Sequence, residues 1–162
     1  MAGADFLVID IIATSTATGT NASRTTRILG TKEVIRYMER ATGHIFEAST
    51  STLDISRISN TTFTKIYEAL FVDKSGSVIM RGLVGGTDII QTRFGSIQLA
   101  TTTDDGKELV TTELPTNILQ LALSPARNQI FSIQPDGTTR GYLSRPDGTS
   151  QVSSFNNPLE EW

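Results

Sequence analysis

The sequence predicts an all-β chain assembled from repeated units of short antiparallel strands. Three observations carry that expectation. The stretch from Ile66 to Met80 lies over the stretch from Ile118 to Ser132 without a gap, at an offset of 52 residues, and a partial earlier copy sets Val34-Ile35 44 residues ahead of Val78-Ile79. The 162 residues include 24 Thr and 15 Ser, and Thr, with its branched Cβ, favours pleated, half-exposed strands over helix interiors. Pro, Asp and Gly punctuate the apolar runs at short intervals, as hairpin turns require. Periods of about 40 to 50 residues built from short strands mark propeller blades. The expected fold is therefore β-propeller blades, each a four-stranded antiparallel sheet, in a partial ring or one closed by oligomerisation.

Residues 1–32 differ from the rest. Phe6 to Ala13 reads as a buried strand, and Phe6 to Ile12 is placed to pair with an open sheet edge and so complete a blade. Thr14 to Thr26 is a polar Thr/Ala/Ser/Gly tract without periodicity. It offers little apolar surface against its ordering entropy and is expected as a loop or flexible segment. Residues 33–162 form the partial propeller domain, in blade-like units of about 33–62, 63–116 and 117–162.

In the first unit, Val34, Tyr37 and Met38 fall at helical spacing and Thr31 is a possible cap. The repeat register argues instead for a strand over Thr31 to Arg40. Ala41-Thr42-Gly43-His44 then turns into Ile45 to Ala48, and a further strand covers Ile55 to Ser59. The second unit opens with Lys65 to Val72, turns through Asp73-Lys74-Ser75-Gly76, and returns as Ser77 to Leu83. Gly85-Gly86 leads into Asp88 to Phe94. Gly95-Ser96 and Asp104-Asp105-Gly106 are read as turns bounding strands near Ile97 to Ala100 and Glu108 to Glu113, which makes this unit longer than its neighbours. The third unit runs Ile118 to Leu123, Gln129 to Gln134, Gly141 to Arg145 and Gln151 to Phe155. Its turns are Ser124 to Asn128, Pro135-Asp136-Gly137 and Pro146-Asp147-Gly148-Thr149.

Composition removes several function classes. The formal net charge is −3, and the 14 basic and 17 acidic residues are scattered. No Lys/Arg cluster supplies the footprint that nucleic-acid binding needs. With no cysteine, disulfides and thiolate metal sites are excluded. The apolar run from Phe6 to Ala13 is broken by Asp10. It is too short for a membrane span, which needs about 20 residues, and it lacks the basic residues that open a signal peptide. The chain as written is expected to be soluble, although an anchor upstream of a shortened chain would be lost from view.

No constellation of residues argues for catalysis. His44, the sole histidine, falls in a predicted turn, where a solvated side chain is the ordinary outcome. One His without Cys would need three converging carboxylates to hold zinc. Asp104-Asp105-Gly106, Asp136-Gly137 and Asp147-Gly148 have the look of calcium loops, but Asp-Gly is also the ordinary hairpin dipeptide and the further acidic positions of an EF-hand are missing. Gly82 to Gly86 is Gly-rich with no following helix to bind phosphate. Glu39, Glu160 and Glu161 read as solvated carboxylates rather than an acid/base pair. Asn21-Ala22-Ser23 and Asn60-Thr61-Thr62 fit the glycosylation pattern, which a Thr-rich chain produces by chance. The aromatics from Tyr37 to Phe155 read as packing between blades rather than a sugar-stacking platform. Catalytic and metal sites are therefore expected to be absent, no cofactor is expected, and no binding residue stands out.

Ser124-Pro125, followed by Ile130-Phe131, Tyr142-Leu143, Asp147-Gly148-Thr149 and Phe155-Asn156-Asn157-Pro158, resembles the TolB-type propeller repeat, a relative of the WD-type blade. Arg57-Ile58-Ser59-Asn60-Thr61-Thr62 resembles the end of a preceding blade. The resemblance covers about residues 33–162. It departs from the pattern where the family's Asp-Gly after Ser-Pro is replaced by Ala126-Arg127-Asn128, and where the second unit keeps only Asp73 and Gly76 of that turn. The resemblance implies a non-enzymatic protein-interaction or scaffold role, extracytoplasmic in a bacterium, with a protein as partner. The alternative is a carbohydrate-binding or hydrolytic propeller with its site on loops at one face. About three blades fall short of a closed ring. The stop at Trp162, where an innermost strand should begin, favours the remainder of a longer propeller over a homo-oligomer.

Overall fold

The computed structural model describes residues 1–16, 24–59, 61–73, 76–99, 107–136 and 138–157. The described residues form strands and turns without a helix, in three four-stranded antiparallel sheets, each a meander of consecutive strands. Sheet 1 contains β1 (Gly3–Thr16), β2 (Arg24–Met38), β3 (Ile45–Ser49) and β4 (Ile55–Arg57). Sheet 2 contains β5 (Ile66–Phe71), β6 (Val78–Leu83), β7 (Ile90–Leu99) and β8 (Lys107–Glu113). Sheet 3 contains β9 (Gln120–Leu123), β10 (Ile130–Asp136), β11 (Thr138–Ser144) and β12 (Val152–Asn157). The all-β expectation holds, and the three sheets are compatible with propeller-like blades in a ring that is not closed.

Strand alternation decides what each sheet buries. In β2, Val34, Arg36 and Met38 are buried, while Ile35 between them is exposed. Met38 and Ile45, with Ile58 beyond β4, pack against Ile66, Ala69, Phe71, Val78, Met80 and Leu109 of sheet 2. A second cluster joins sheets 2 and 3 through Val72, Ile79, Leu114, Ile118 and Ile130. Each such side chain contributes about 1.5–3 kcal/mol by leaving water, so the two seams carry the fold. The first strands of sheets 1 and 2 meet directly: the Ala69 amide donates to the Ala2 carbonyl at 3.1 Å. A Cβ at Gly3 would collide with the backbone oxygen of Ala69, so β1 approaches β5 this closely only because residue 3 has no side chain.

The structure differs from the sequence reading at four places. The strand from Phe6, read as buried, leaves Phe6 and Val8 exposed on the outer face of sheet 1. Gly95-Ser96 is not a turn. It lies inside β7, whose residues pair without interruption with β8 from Arg93↔Glu113 to Leu99↔Lys107, so Ile97 to Leu99 continue one strand and the sheet has four strands, not five. Glycine stands at 95 because a Cβ there would meet Leu109 Cδ1 at 2.9 Å and Met80 Cε at 3.2 Å; it signals close packing, not reversal.

The third difference lies in the polar tract. Its described ends are strand rather than loop, since Thr14↔Thr26, Ser15↔Thr25 and Thr16↔Arg24 extend the β1–β2 ladder; residues 17–23 lie outside the described set. The first sheet therefore begins at β1, and position 32/33 falls within β2. Phe6 to Ile12 does pair with a sheet strand, as the sequence suggested.

The fourth difference is one of register. At an offset of 44, Val34 stands over Val78, yet Val34 shares a face with Met38 towards sheet 2, whereas Val78 faces back towards sheet 1. An offset of 45 places Val34 over Ile79, Arg36 over Arg81 and Glu47 over Thr92, all facing the following sheet. A one-residue slip exchanges the faces of a strand. The offset of 52 holds, because Val78 and Ile130 both face the preceding sheet.

Candidate functional site

The residues singled out by sequence do not converge. His44 sits in the β2–β3 turn, with its amide donating to Thr42 Oγ1 at 3.1 Å and its Nε2 3.0 Å from Thr62 Oγ1. Glu39 accepts from the Thr42 hydroxyl in the same turn. Asp147 closes its own turn, accepting from the Thr149 amide at 2.9 Å and the Thr149 hydroxyl at 2.6 Å. Those bonds hold its carboxyl below the ordinary range. Asp73 accepts from the Gly76 and Ser77 amides, each at 3.0 Å. These are turn-stabilising geometries. Among the described residues, no three His, Cys, Asp or Glu side chains gather where a metal could sit. Asp104 to Gly106, Gly137, Asn21 to Ser23, Asn60, and Glu160 to Trp162 lie outside the described residues.

Three arginines, invisible as a set in the sequence, lie at the seams between the sheets. On β2, Arg36 donates to Glu47 Oε2 at 3.0 Å across the register with β3, and Lys32 reaches Glu47 Oε1 at 3.1 Å. Burial pushes the Glu47 carboxyl up, but the hydrogen bonds and charges of Arg36 and Lys32 outweigh it and hold the group below its ordinary value. A Cβ on Gly76 would lie 3.3 Å from Arg36 Nη1, which places this guanidinium at the seam with sheet 2. On β6, Arg81 donates to Glu68 at 2.6 Å and to the Ile118 and Leu119 carbonyls at 2.5 and 3.2 Å, and lies over the Tyr67 ring. Arg127, in the β9–β10 turn, pairs with Asp5 on β1 and donates to the Phe71 carbonyl. Its φ is 58°, in the left-handed region.

Among the described residues, two kinds of surface are suited to a ligand. One is an open groove of about 850 Å³ at the end of the sheets where β2 runs into β3. Arg40 and Ala41 line it from that turn, Thr64 and Lys65 from the β4–β5 link, and Tyr67, Leu83 and Ile90 from sheet 2. Its walls are largely apolar, with two cations at the rim.

The other surface is the pair of outer sheet faces. Registers set Phe6, Ile35, Ala48 and Ile55 in one row across all four strands of sheet 1; Phe6, Ile35 and Ile55 are exposed. Tyr37 and Phe46 stack beside them, with ring centroids 5.4 Å apart. On sheet 3 the matching row is Ala122, Phe131, Leu143 and Val152, of which Leu143 and Val152 are exposed. Contiguous exposed apolar faces of this kind mark interaction sites. The strand pattern suggested buried apolar faces; which of them would stay open follows only from how many sheets stack.

Among the described residues, no helix is long and apolar enough to cross a membrane, which says nothing of strands. The chain matches no protein-family model, no curated protein and no solved structure, so its own geometry carries the functional argument.

Proposed function

We propose that the chain is a non-enzymatic protein-interaction or scaffold module of TolB-like propeller type, working outside the cytoplasm of a bacterium. The observation that carries the reading is the apolar row Phe6–Ile35–Ala48–Ile55, which crosses a whole sheet and, among the described residues, leaves Phe6, Ile35 and Ile55 exposed. Exposed aliphatic and aromatic surface is suited to another polypeptide and ill suited to a polar substrate. A photo-crosslinking residue at Ile55 should yield discrete polypeptide adducts in an extract of the expressing cells, while the same probe at exposed Thr52 in the β3–β4 turn should not. Equal labelling from both positions, or none from either, would overturn the reading.

The alternative is a carbohydrate-binding or hydrolytic ring. The groove beside Arg40, Lys65 and Tyr67 favours it, since a ring face flanked by cations suits an acidic sugar. Titration calorimetry with an acidic oligosaccharide tests it: heat lost on Tyr67→Ala would support it, and no heat at all would end it.

A further inference from the structure

We propose that a second copy of this chain covers both open faces, sheet 3 of each copy packing on sheet 1 of the other, so that two chains close one ring of six sheets. This rests on the interaction reading above and names its partner. The chain makes the same joint twice. At each, the face carrying Val34, Arg36 and Met38, or Ile79 and Arg81, meets the face carrying Val78 and Met80, or Ile130 and Ser132. Sheet 3 ends on the first kind of face, with Phe131, Leu143 and Val152. Sheet 1 begins with the second kind, with Phe6, Ile35 and Ile55. Each is the missing half of the other's joint.

The rows also correspond strand for strand. Phe6 and Ala122 lie on the first strands of their sheets, and Ile55 and Val152 on the fourth. A foreign partner would need only one of these faces; both halves of an already repeated joint on one chain point to self-assembly. Such a head-to-tail contact either closes into a ring or grows into a filament. Propellers close with about four to eight blades. One chain supplies three sheets and falls short, two supply six, and three would overshoot.

Light scattering behind size exclusion tests this directly. The unsubstituted chain should run as one species of twice 17.6 kDa. Ile55→Lys and Val152→Glu should each give a monomer with unchanged circular dichroism, since these side chains are 63% and 64% exposed. Mixing the two variants should restore the dimer, because one joint is then unsubstituted on both sides and the other sets the lysine against the glutamate. A face that paired with itself would leave one variant dimeric. A monomeric unsubstituted chain, an open series of larger species, or a dimer that survives either substitution would overturn the proposal. The two readings fail separately: a monomer whose Ile55 probe captures a different polypeptide removes self-assembly and leaves the interaction module standing.

Discussion

Arg127 Nη2 donates to Asp5 Oδ1 at 3.1 Å, tying the β9–β10 turn to the first strand of the chain across 122 residues of sequence. The same guanidinium donates to the Phe71 carbonyl at 3.3 Å, so one side chain touches sheets 1 and 2 while belonging to sheet 3. It does so from a left-handed backbone, a conformation that costs a non-glycine residue about 1 kcal/mol. An exposed ion pair contributes about 0.2–1 kcal/mol, so the pair and the strain nearly cancel.

Two substitutions separate these terms. Arg127→Gly removes the pair and the strain together and should change stability by less than about 1 kcal/mol. Arg127→Ala removes the pair and keeps the strain, so it should be the less stable of the two by about 1 kcal/mol. Urea denaturation reads the difference. Raising salt should lower the unsubstituted chain relative to Arg127→Gly, because screening weakens only the pair and leaves the strain. Equal stabilities for the Gly and Ala variants would remove the strain from the account.

Glu47 should dominate the acid response of sheet 1. Its side chain and that of Arg36 are 9% and 5% exposed, and taking one partner from a buried pair costs about 3–5 kcal/mol. Glu47→Gln should approach that loss, while Lys32→Ala, whose side chain is 42% exposed, should cost under about 1 kcal/mol. The pH sign follows from the lowered folded-state value. The unfolded chain takes up the proton first, so the contribution is whole above the ordinary value of 4.5 and is lost as pH falls through the folded value. Denaturation midpoints measured across that window should converge for the unsubstituted chain and Glu47→Gln as the medium acidifies. A gap that stays constant would mean the carboxylate is not the group responsible.

Much of this architecture was legible in the sequence because the turns are local. Asp73 with Gly76, Ser124 with Asn128, and Asp147 with Thr149 punctuate the chain where the strands reverse, and the offset of 52 aligned sheets 2 and 3 correctly. What escaped depends on partners distant in sequence. Gly95 looks like a turn until Leu109 is seen against it. The tract around Thr14 looks unstructured because no apolar periodicity marks the ladder in which its residues pair. Arg36, Arg81 and Arg127 gain their partners only through register and stacking, and no spacing announces them. Nor does spacing announce the open faces, since the strand alternation of Ile35 and Leu143 is the same whether or not another sheet covers them.

Gly95 offers a packing test. Adding a methyl there forces Leu109 and Met80 to move, and overpacking of this kind costs about 1–3 kcal/mol. Gly95→Ala should fall in that range, whereas Gly30→Ala, with no atom within 4 Å of its added Cβ, should not destabilise. Because the obstruction is the end of a side chain, Leu109→Val in the Gly95→Ala background should recover part of the loss. A double variant no better than the additive sum would show that Leu109 is not the group that resists the methyl.

Arg81 decides whether sheet 3 stays docked. Its guanidinium caps the Ile118 and Leu119 carbonyls just ahead of β9 while holding Glu68 on β5. No single ammonium reproduces a planar fork directed at three acceptors, so Arg81→Lys is not conservative here. Charge-assisted hydrogen bonds are worth about 1.5–3 kcal/mol each; their loss should fall on the seam between sheets 2 and 3, not on the Met38–Val78 seam. Hydrogen exchange locates it. In Arg81→Lys the β9–β11 amides should exchange faster while those of β2 and β3 keep their protection, as expected of sheets that open as separate units. Uniform acceleration across all three sheets would mean that the stack unfolds as one body and that Arg81 is one contributor to global stability rather than the clasp of the third sheet.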